Sequence, residues 1–211
     1  GMLNGSLVKT RALYRGIMED IYRTYTTAAT GTAFPFTDVA ETRWSYPYIK
    51  ELYDAGVVSG TSATTFSPAA NVTRAQFVTM LAGLAGADVS NCPATPFRDV
   101  PEGAWYAPYV NWALANGIVS GTSATTFSPD AKITRQDMAV MLYSYTQRFQ
   151  VHLQQQQPVK PFTDAGSIAA YAQIAVQTLQ RAGVISGMPD GSFQPYGTAT
   201  REQACTMLCM L

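Results

Sequence analysis

Three arginines stand at equivalent positions in the chain and offer its clearest chemistry. Arg74, Arg135 and Arg201 each follow a threonine that is suited to the N-cap of a helix. A cation in the first turn opposes the helix dipole at a cost of about 0.3–1 kcal/mol, so other residues would make better helices. A guanidinium beside unpaired helix amides forms an anion site that can hold a carboxylate through two hydrogen bonds. The structural alternative is an ion pair with one of the loop aspartates Asp38, Asp99 and Asp164.

Two tryptophans and a tyrosine recur upstream of these arginines. Trp44 and Trp105 occupy matching positions, and Tyr171 stands where a third tryptophan would fall. Amphipathic rings of this kind stack on sugar rings, but large aromatic side chains also pack between helices in a core. Both interpretations stay open on sequence alone.

An internal repeat accounts for this regular spacing. Residues 58–68 and 119–129 both read VSGTSATTFSP, eleven identical positions at an offset of 61. A diverged third copy, from Gly187 to Arg201, keeps the same intervals. Each unit has about 50 residues, a size at which an independent core is marginal, so the three should pack together and share one. The predicted organisation is an N-terminal helical segment over 1–33 and repeats over 34–90, 91–158 and 159–211.

The sequence pattern of each repeat predicts a helix, a loop rich in glycine, serine and threonine, and a second helix. The first helix begins at the aromatic position and ends at a glycine: Gly56, Gly117 or Gly183. In each loop the side chain of one phenylalanine should pack into the core and anchor the loop there: Phe66, Phe127 or Phe193. The second helix starts at a threonine, and Gln76 and Gln203 complete a capping box of which Asp137 is a shorter variant.

The net charge and the hydrophobic content of the chain exclude several classes of protein and of partner. The chain has 211 residues with 14 basic and 14 acidic side chains, so its formal net charge is zero. No global field attracts nucleic acid or an anionic membrane, and neither partner is expected. The hydrophobic content of 47% argues against disorder, and no apolar run approaches the roughly 18 residues of a membrane span. Residues 1–30 carry six charged side chains and no apolar run, so no signal peptide is visible.

Cysteine and histidine provide no framework for a disulfide, a metal or a cofactor. Cys92, Cys205 and Cys209 are odd in number, and the last two lie four residues apart on a predicted helix as small apolar side chains. The single histidine, His152, lies in a glutamine-rich segment far from them. Carboxylates are sparse, and no pair recurs in a general acid–base arrangement. We therefore expect no cofactor, no metal and no enzymatic activity.

The combined pattern resembles the S-layer homology (SLH) domain family. Its elements are Phe-x-Asp-Val, a tryptophan eight residues after that phenylalanine, Gly-[IV]-[VI]-Ser-Gly, Phe-x-Pro and [VIA]-Thr-Arg-x-[QD], and together they span about residues 34–211. Three tandem copies are the usual arrangement of that family. The resemblance implies an all-α fold in which three helix–loop–helix repeats form a pseudo-threefold unit. The arginine-bearing helices would converge in a central bundle, with ligand grooves between repeats.

Members of that family anchor exported proteins non-covalently to the bacterial cell wall. The resemblance therefore implies an extracellular location, typical of Gram-positive bacteria, and a pyruvylated secondary cell-wall polysaccharide or peptidoglycan-linked glycan as partner. The arginines would hold the pyruvyl carboxylate: Arg74, Arg135 and Arg201. The aromatic residues would stack on the sugar ring: Trp44, Trp105 and Tyr171. Small loop residues would let the backbone approach the glycan: Gly60, Gly121 and Gly187.

Two departures from the family pattern and two alternatives accompany this interpretation. The third repeat has Tyr171 in place of tryptophan, and Glu202 beside Arg201 would lower the positive potential there. The alternative function is a structural module that assembles with protein partners through structural arginines and binds no glycan. The segment before residue 34 is either an amphipathic helix packed on the repeats or the end of an upstream domain in a longer protein.

Overall fold

Two α-helices per repeat form the framework of the described residues, which are 34–154, 158 and 160–211 of this computed structural model. They are α1 Tyr46–Asp54, α2 Arg74–Leu84, α3 Ala107–Ala115, α4 Arg135–Arg148, α5 Gln173–Arg181 and α6 Arg201–Cys209. Short 3₁₀ turns at Ala165–Ser167 and Ala170–Ala172 precede α5. Over these ranges the chain has isolated β-bridges but no strand, and the predicted all-α class is confirmed. The predicted helical segment 1–33 lies outside the described residues.

Proline and glycine set the ends of the first helices. A proline lies in the first turn of α1 and of α3, where the missing amide hydrogen has no helical acceptor to lose. Trp44 and Trp105 therefore precede these helices, whereas their spacing had placed them inside. The predicted C-terminal glycines adopt positive φ angles of 72°, 67° and 73° at Gly56, Gly117 and Gly183.

Threonine caps the second helix of each repeat, as predicted. The capping hydroxyls belong to Thr73, Thr134 and Thr200, and each accepts the amide hydrogen three residues further on. Gln76 and Gln203 reach back to the N-cap amide at 3.0 Å and complete two capping boxes. Asp137 is one methylene shorter and bonds to Tyr171 instead.

The repeats interlock through these helices. The first helix of a repeat packs against the second helix of the preceding repeat, so α3 packs on α2 and α5 on α4. The last repeat also contacts the first, since α1 packs on α6. Because α2 also contacts α4 and α6, the arginine-bearing helix of repeat 1 lies against those of the other two repeats. Each repeat therefore buries its helices against its neighbours, as the marginal size of one repeat requires.

Backbone hydrogen bonds join the repeats in cyclic order just before the second helices. The amide of Val72 donates to Ala199, that of Ala199 to Ile133 and that of Ile133 to Val72, with N···O distances of 3.0, 3.3 and 3.0 Å. All three residues are buried, where an unbonded amide would be costly. Each repeat therefore provides the hydrogen-bond acceptor for a buried amide of another repeat. A pseudo-threefold arrangement requires such contacts, and the symmetry itself stays a prediction.

An aspartate at the start of each repeat holds the loop that precedes the second helix. Asp99 accepts hydrogen bonds from the amides of Phe127 and Ser128 at 2.8 and 2.7 Å. Asp38 and Asp164 bind their own loops in the same way. The loop phenylalanines are fully buried, as predicted: Phe66, Phe127 and Phe193.

The cysteines are free thiols in and around this core. Cys205 is fully buried, and Cys92 and Cys209 are partly buried. Burial raises the pKa of Cys205 and Cys209 to about 12, so both remain protonated near neutral pH. Among the described helices, none has the length and apolar character needed to cross a membrane.

Candidate functional site

The three predicted arginines lie at the junctions between repeats. Arg74, Arg135 and Arg201 are only 6%, 4% and 6% exposed. Each Nε donates to the carbonyl of the buried loop phenylalanine in the next repeat, at 2.9, 2.7 and 2.9 Å: Phe127, Phe193 and Phe66, respectively. Each Nη2 donates to a serine carbonyl of that same loop: Ser120, Ser186 and Ser59. The guanidinium therefore fixes the loop of a neighbouring repeat at two points.

Each guanidinium also lies over the ring of the loop phenylalanine. The distance from Cζ to the ring centroid is 4.8 Å for Arg74, 5.1 Å for Arg135 and 4.4 Å for Arg201. Burial lowers the pKa of all three arginines, although a guanidinium still stays charged near neutral pH. Because desolvation penalises a charge that lacks a counter-ion, an anion that reaches these groups stabilises them.

The helix amides beside the arginines are already bonded, which differs from the expectation of unpaired donors. In α2 the amides of Arg74 and Ala75 donate to the carbonyls of Ala131 and Pro129 at 2.9 and 3.0 Å. The Gln76 amide donates to its N-cap threonine at 3.2 Å, and α4 and α6 repeat the whole pattern. Of the two kinds of donor predicted at each helix start, only the guanidinium therefore remains for a ligand. Sequence could not show this, since the acceptors belong to the next repeat.

Ion pairs with the loop aspartates, the structural alternative, do not form either. Asp38, Asp99 and Asp164 bind loop amides, and none of them forms an ion pair with an arginine in the part of the chain that the structure describes. The arginines hold the fold through backbone carbonyls, and these aspartates act on the arginine charge only from a distance, without a direct ion pair.

A groove of about 200 Å³ opens beside Arg201 and draws residues from all three repeats. Its walls are the loop of repeat 1, the side of α2 and the ring of Trp105 from repeat 2. The lining residues are Val57, Val58, Ser59, Gly60, Thr61, Gln76, Thr79, Met80, Trp105 and Arg201. This Arg201 groove brings together one predicted arginine, one predicted glycine and one predicted aromatic residue. No carboxylate lines it.

A second groove, of about 370 Å³, has the same construction one repeat further on. It is lined by Arg74, Ile118, Val119, Ser120, Gly121, Thr122, Asp137, Val140, Met141 and Tyr171. This Arg74 groove contains Asp137, which we had interpreted only as a capping residue. The signal for it was present in the sequence, as an aspartate where the other repeats have glutamine.

Three of the predicted site residues line neither of these two grooves: Arg135, Gly187 and Trp44. Arg135 donates to the carbonyl of Ser186, next to Gly187. Trp44 precedes α1, which packs on α6 as α3 packs on α2. That Arg135, Gly187 and Trp44 form a third groove like the Arg201 groove stays a prediction.

The predicted aromatic residues are on the surface and not in the core. Trp44, Trp105 and Tyr171 are 56%, 59% and 62% exposed, so the alternative of core packing between helices is wrong. The Tyr171 hydroxyl donates to Asp137 Oδ1 at 2.7 Å. Although most of the ring is exposed, partial desolvation of the hydroxyl, followed by this hydrogen bond, raises the pKa of Tyr171 to about 12, so the hydroxyl remains a donor.

Packing inside the loops also requires the predicted glycines. A Cβ on Gly60 would collide with the ring of Phe36 and with the carbonyl of Ser62. A Cβ on Gly121 would lie 2.6 Å from Cε1 of Phe97 and would overlap the carbonyl of Ser123. Glycine is thus demanded by the fold, and its role in admitting a glycan stays a prediction.

Glu202 does not weaken the positive potential at Arg201 in the way its position suggested. Its carboxylate accepts hydrogen bonds from Arg43 at 2.8 and 2.9 Å and from the hydroxyl of Ser45 at 2.6 Å. Burial would raise the pKa of Glu202, but these bonds outweigh it and hold the pKa below its usual value. Glu202 therefore links repeat 3 to repeat 1.

Comparison with known proteins identifies the class to which this fold and these sites belong. A profile of the S-layer homology domain matches residues 35–78, 96–139 and 161–205. The chain belongs to the S-layer homology domain family, in three tandem copies, and the predicted family is confirmed.

Similar proteins include enzymes as well as surface proteins. An endoglucanase of Bacillus sp. (strain KSM-635) is 39% identical over 186 residues, which cover 88% of this chain and 19% of that protein. The cellulosome-anchoring protein of Acetivibrio thermocellus is 28% identical over 158 residues, 73% of this chain and 35% of that protein. S-layer protein sap of Bacillus anthracis is 31% identical over 133 residues, 63% of this chain and 15% of that protein.

The chain thus spans about a fifth to a third of the first two of these relatives. The segment is common to an enzyme, an anchoring protein and a surface-layer protein, so the enzymatic name belongs to other parts of the endoglucanase. What the relatives share points to a non-catalytic module of cell-surface anchoring.

Proposed function

We propose that this module anchors a protein at the bacterial cell surface by binding an anionic, pyruvylated secondary cell-wall polysaccharide, or a similar peptidoglycan-linked glycan, in its inter-repeat grooves. The observation that carries the proposal is Arg201, which is nearly buried, bonds to backbone carbonyls and lines a groove without a carboxylate. A buried cation of this kind favours an anionic ligand.

The two chemical parts of a pyruvylated sugar match the two sides of the Arg201 groove. The carboxylate of the pyruvyl ketal is the counter-ion that Arg201 lacks, and a charged hydrogen bond in a partly dry groove is worth about 1.5–3 kcal/mol. The exposed ring of Trp105 provides an apolar face for the sugar. Arg135 and Trp44 would offer the same pair of groups in the predicted third groove.

Co-sedimentation with purified wall polysaccharide tests this function. We expect the chain to sediment with polysaccharide that retains its pyruvyl groups and to stay in solution with polysaccharide from which mild acid has removed them. Trp105→Ala should weaken binding without unfolding the chain, because the ring is exposed. Met210→Ala is the matched control, since Met210 is an exposed apolar residue outside both grooves. Equal sedimentation with the two polysaccharides would contradict the proposal.

A second candidate function is a protein-assembly module that binds no glycan. The observation in its favour is that all three arginines have structural bonds to carbonyls. Light scattering separates the two functions, because assembly raises the molecular mass of the chain in the absence of glycan. A monomer that sediments with pyruvylated glycan supports the anchoring function.

A further inference from the structure

The three arginine sites differ chemically, because the Arg74 groove contains a carboxylate of its own. Asp137 Oδ2 lies 3.7 Å from Arg74 Nη1, and Asp137 Oδ1 accepts the 2.7 Å hydrogen bond from the Tyr171 hydroxyl. The three residues come from three different repeats and all line this groove. The Tyr171 hydroxyl, the Asp137 carboxylate and the Arg74 guanidinium are therefore connected within this groove.

The length of one side chain produces this difference. Gln76 and Gln203, at the equivalent positions, turn their carbonyl oxygens back to the N-cap amides of their own helices. Asp137 is too short to close that bond and directs its carboxylate toward Arg74 and Tyr171. The substitution of glutamine by aspartate thus adds a negative charge and changes its direction.

The charges around the other two arginines confirm that Asp137 has no counterpart there. The loop aspartate of the adjacent repeat attracts each arginine electrostatically, and this attraction is common to Arg74, Arg135 and Arg201. Asp137 is the largest source of stabilising charge on Arg74, and within the described ranges neither Arg135 nor Arg201 forms an ion pair.

We infer that Asp137 is a specificity-determining residue, which occupies the anion position of the Arg74 groove and directs a carboxylate-bearing glycan to the Arg201 groove. This inference rests on the proposed function. A ligand carboxylate at Arg74 meets the negative charge of Asp137 and competes with it for Nη1, because the Nε and Nη2 donors already bind Phe127 and Ser120. At Arg201 no such carboxylate competes.

Crystals of the chain soaked with the methyl glycoside of pyruvylated N-acetylmannosamine test the inference. In the unchanged chain we expect the probe in the Arg201 groove and not in the Arg74 groove. In Asp137→Asn, which keeps the shape and an acceptor for Tyr171 but removes the charge, we expect it in both. A probe that fills the Arg74 groove of the unchanged chain, or that avoids it in Asp137→Asn, would overturn the inference.

The reciprocal change supplies a matched pair of variants in solution. Gln76→Asp introduces a carboxylate into the Arg201 groove, and Gln76→Asn shortens the side chain equally without charge, so both lose the same capping bond. Calorimetry with the same glycoside should show affinity at least about tenfold lower for Gln76→Asp than for Gln76→Asn, since a charged hydrogen bond is lost. Equal affinities would contradict the role of the carboxylate. Absence of binding to the unchanged chain would instead sink the proposed function itself.

Discussion

A single arginine per repeat holds the loop of a neighbouring repeat and, in the proposed function, also binds the ligand. Its Nε and Nη2 atoms bond to backbone carbonyls, and these bonds hold the loop of another repeat without neutralising the charge. A carboxylate in place of these carbonyls would have held the loop and would also have neutralised the charge of the arginine. The charge thus remains available to a ligand at Arg201, whereas Asp137 engages it at Arg74.

Replacement of this arginine should therefore cost stability as well as binding. Arg201→Ala leaves the carbonyls of Phe66 and Ser59 without their donors, so we expect a loss of about 2–4 kcal/mol in the free energy of unfolding. Urea denaturation followed by circular dichroism measures it. Arg98→Ala, at an exposed arginine, is the control and should leave the midpoint unchanged. An unchanged midpoint for Arg201→Ala would show that the carbonyl bonds contribute nothing.

Glycine in the groove loops is a second requirement at the residue scale. Gly121→Ala should destabilise the chain by about 1–3 kcal/mol, because the new methyl group overlaps the carbonyl of Ser123 and the ring of Phe97. Gly103→Ala is the matched control, since a Cβ there meets no atom within 4 Å. Thermal unfolding of the two variants compares them. Similar midpoints would mean that the loop relaxes freely around the methyl group.

The loop between the two helices of a repeat is the element that positions each site. Two partners fix it. An aspartate of the same repeat accepts hydrogen bonds from amides at the C-terminal end of the loop, and an arginine of another repeat donates to carbonyls at both ends. A non-glycine residue with positive φ follows each loop phenylalanine, and φ is 58° at Ser67 and Ser128. The aspartate bonds hold the backbone in this less favourable conformation.

Removal of one aspartate should loosen its loop. Asp99→Ala leaves the amides of Phe127 and Ser128 without acceptors, and we expect a stability loss of about 1–3 kcal/mol. Faster hydrogen exchange at these two amides, measured by mass spectrometry or NMR, would locate the effect. Asp130→Ala, at an exposed aspartate just beyond the loop, should change neither quantity. Unaltered exchange at Phe127 in Asp99→Ala would contradict this account of the loop.

Local pattern predicted those parts of the fold that depend on residues close in sequence. Threonine caps, glycine helix ends and buried loop phenylalanines all follow from neighbours within about one turn, and all are confirmed. Contacts between repeats depend on distant partners. Arg74 binds a carbonyl 53 residues away, and Arg201 one that is 135 residues away. Sequence identified the arginines, but only the structure shows which loop each one holds and that Asp137 enters one groove.

The contact between the last and the first repeat completes the arrangement of the described repeats in which the two grooves form. Each groove needs a loop, an arginine and an aromatic residue from three different repeats. The last repeat reaches the first through α6 on α1 and through the bonds from Glu202 to Arg43 and Ser45. Loss of these bonds should therefore disturb both grooves, although neither Glu202 nor its two partners line them.

Acid should weaken the contact between the last and the first repeat through Glu202. The pKa of Glu202 is lower in the folded chain than in the unfolded chain, so its stabilisation is complete above the usual carboxyl pKa and is lost as the pH falls through the folded value. Glu202→Gln should lower stability by about 1–2 kcal/mol at pH 7 and by less at pH 3. Glu102→Gln, at an exposed position, is the control. A loss that is equal at both pH values would contradict the role of the charge.

Calorimetric titration with a charged and an uncharged sugar is the sharpest test of the proposed binding. The proposal is that the buried charge of Arg201 selects a carboxylate-bearing glycan. The methyl glycoside of pyruvylated N-acetylmannosamine and its methyl ester differ in that charge and in one added methyl group. We expect the free acid to bind about ten to a hundred times more tightly than the ester. Equal affinities for the two compounds, or no binding of either, would contradict the proposal.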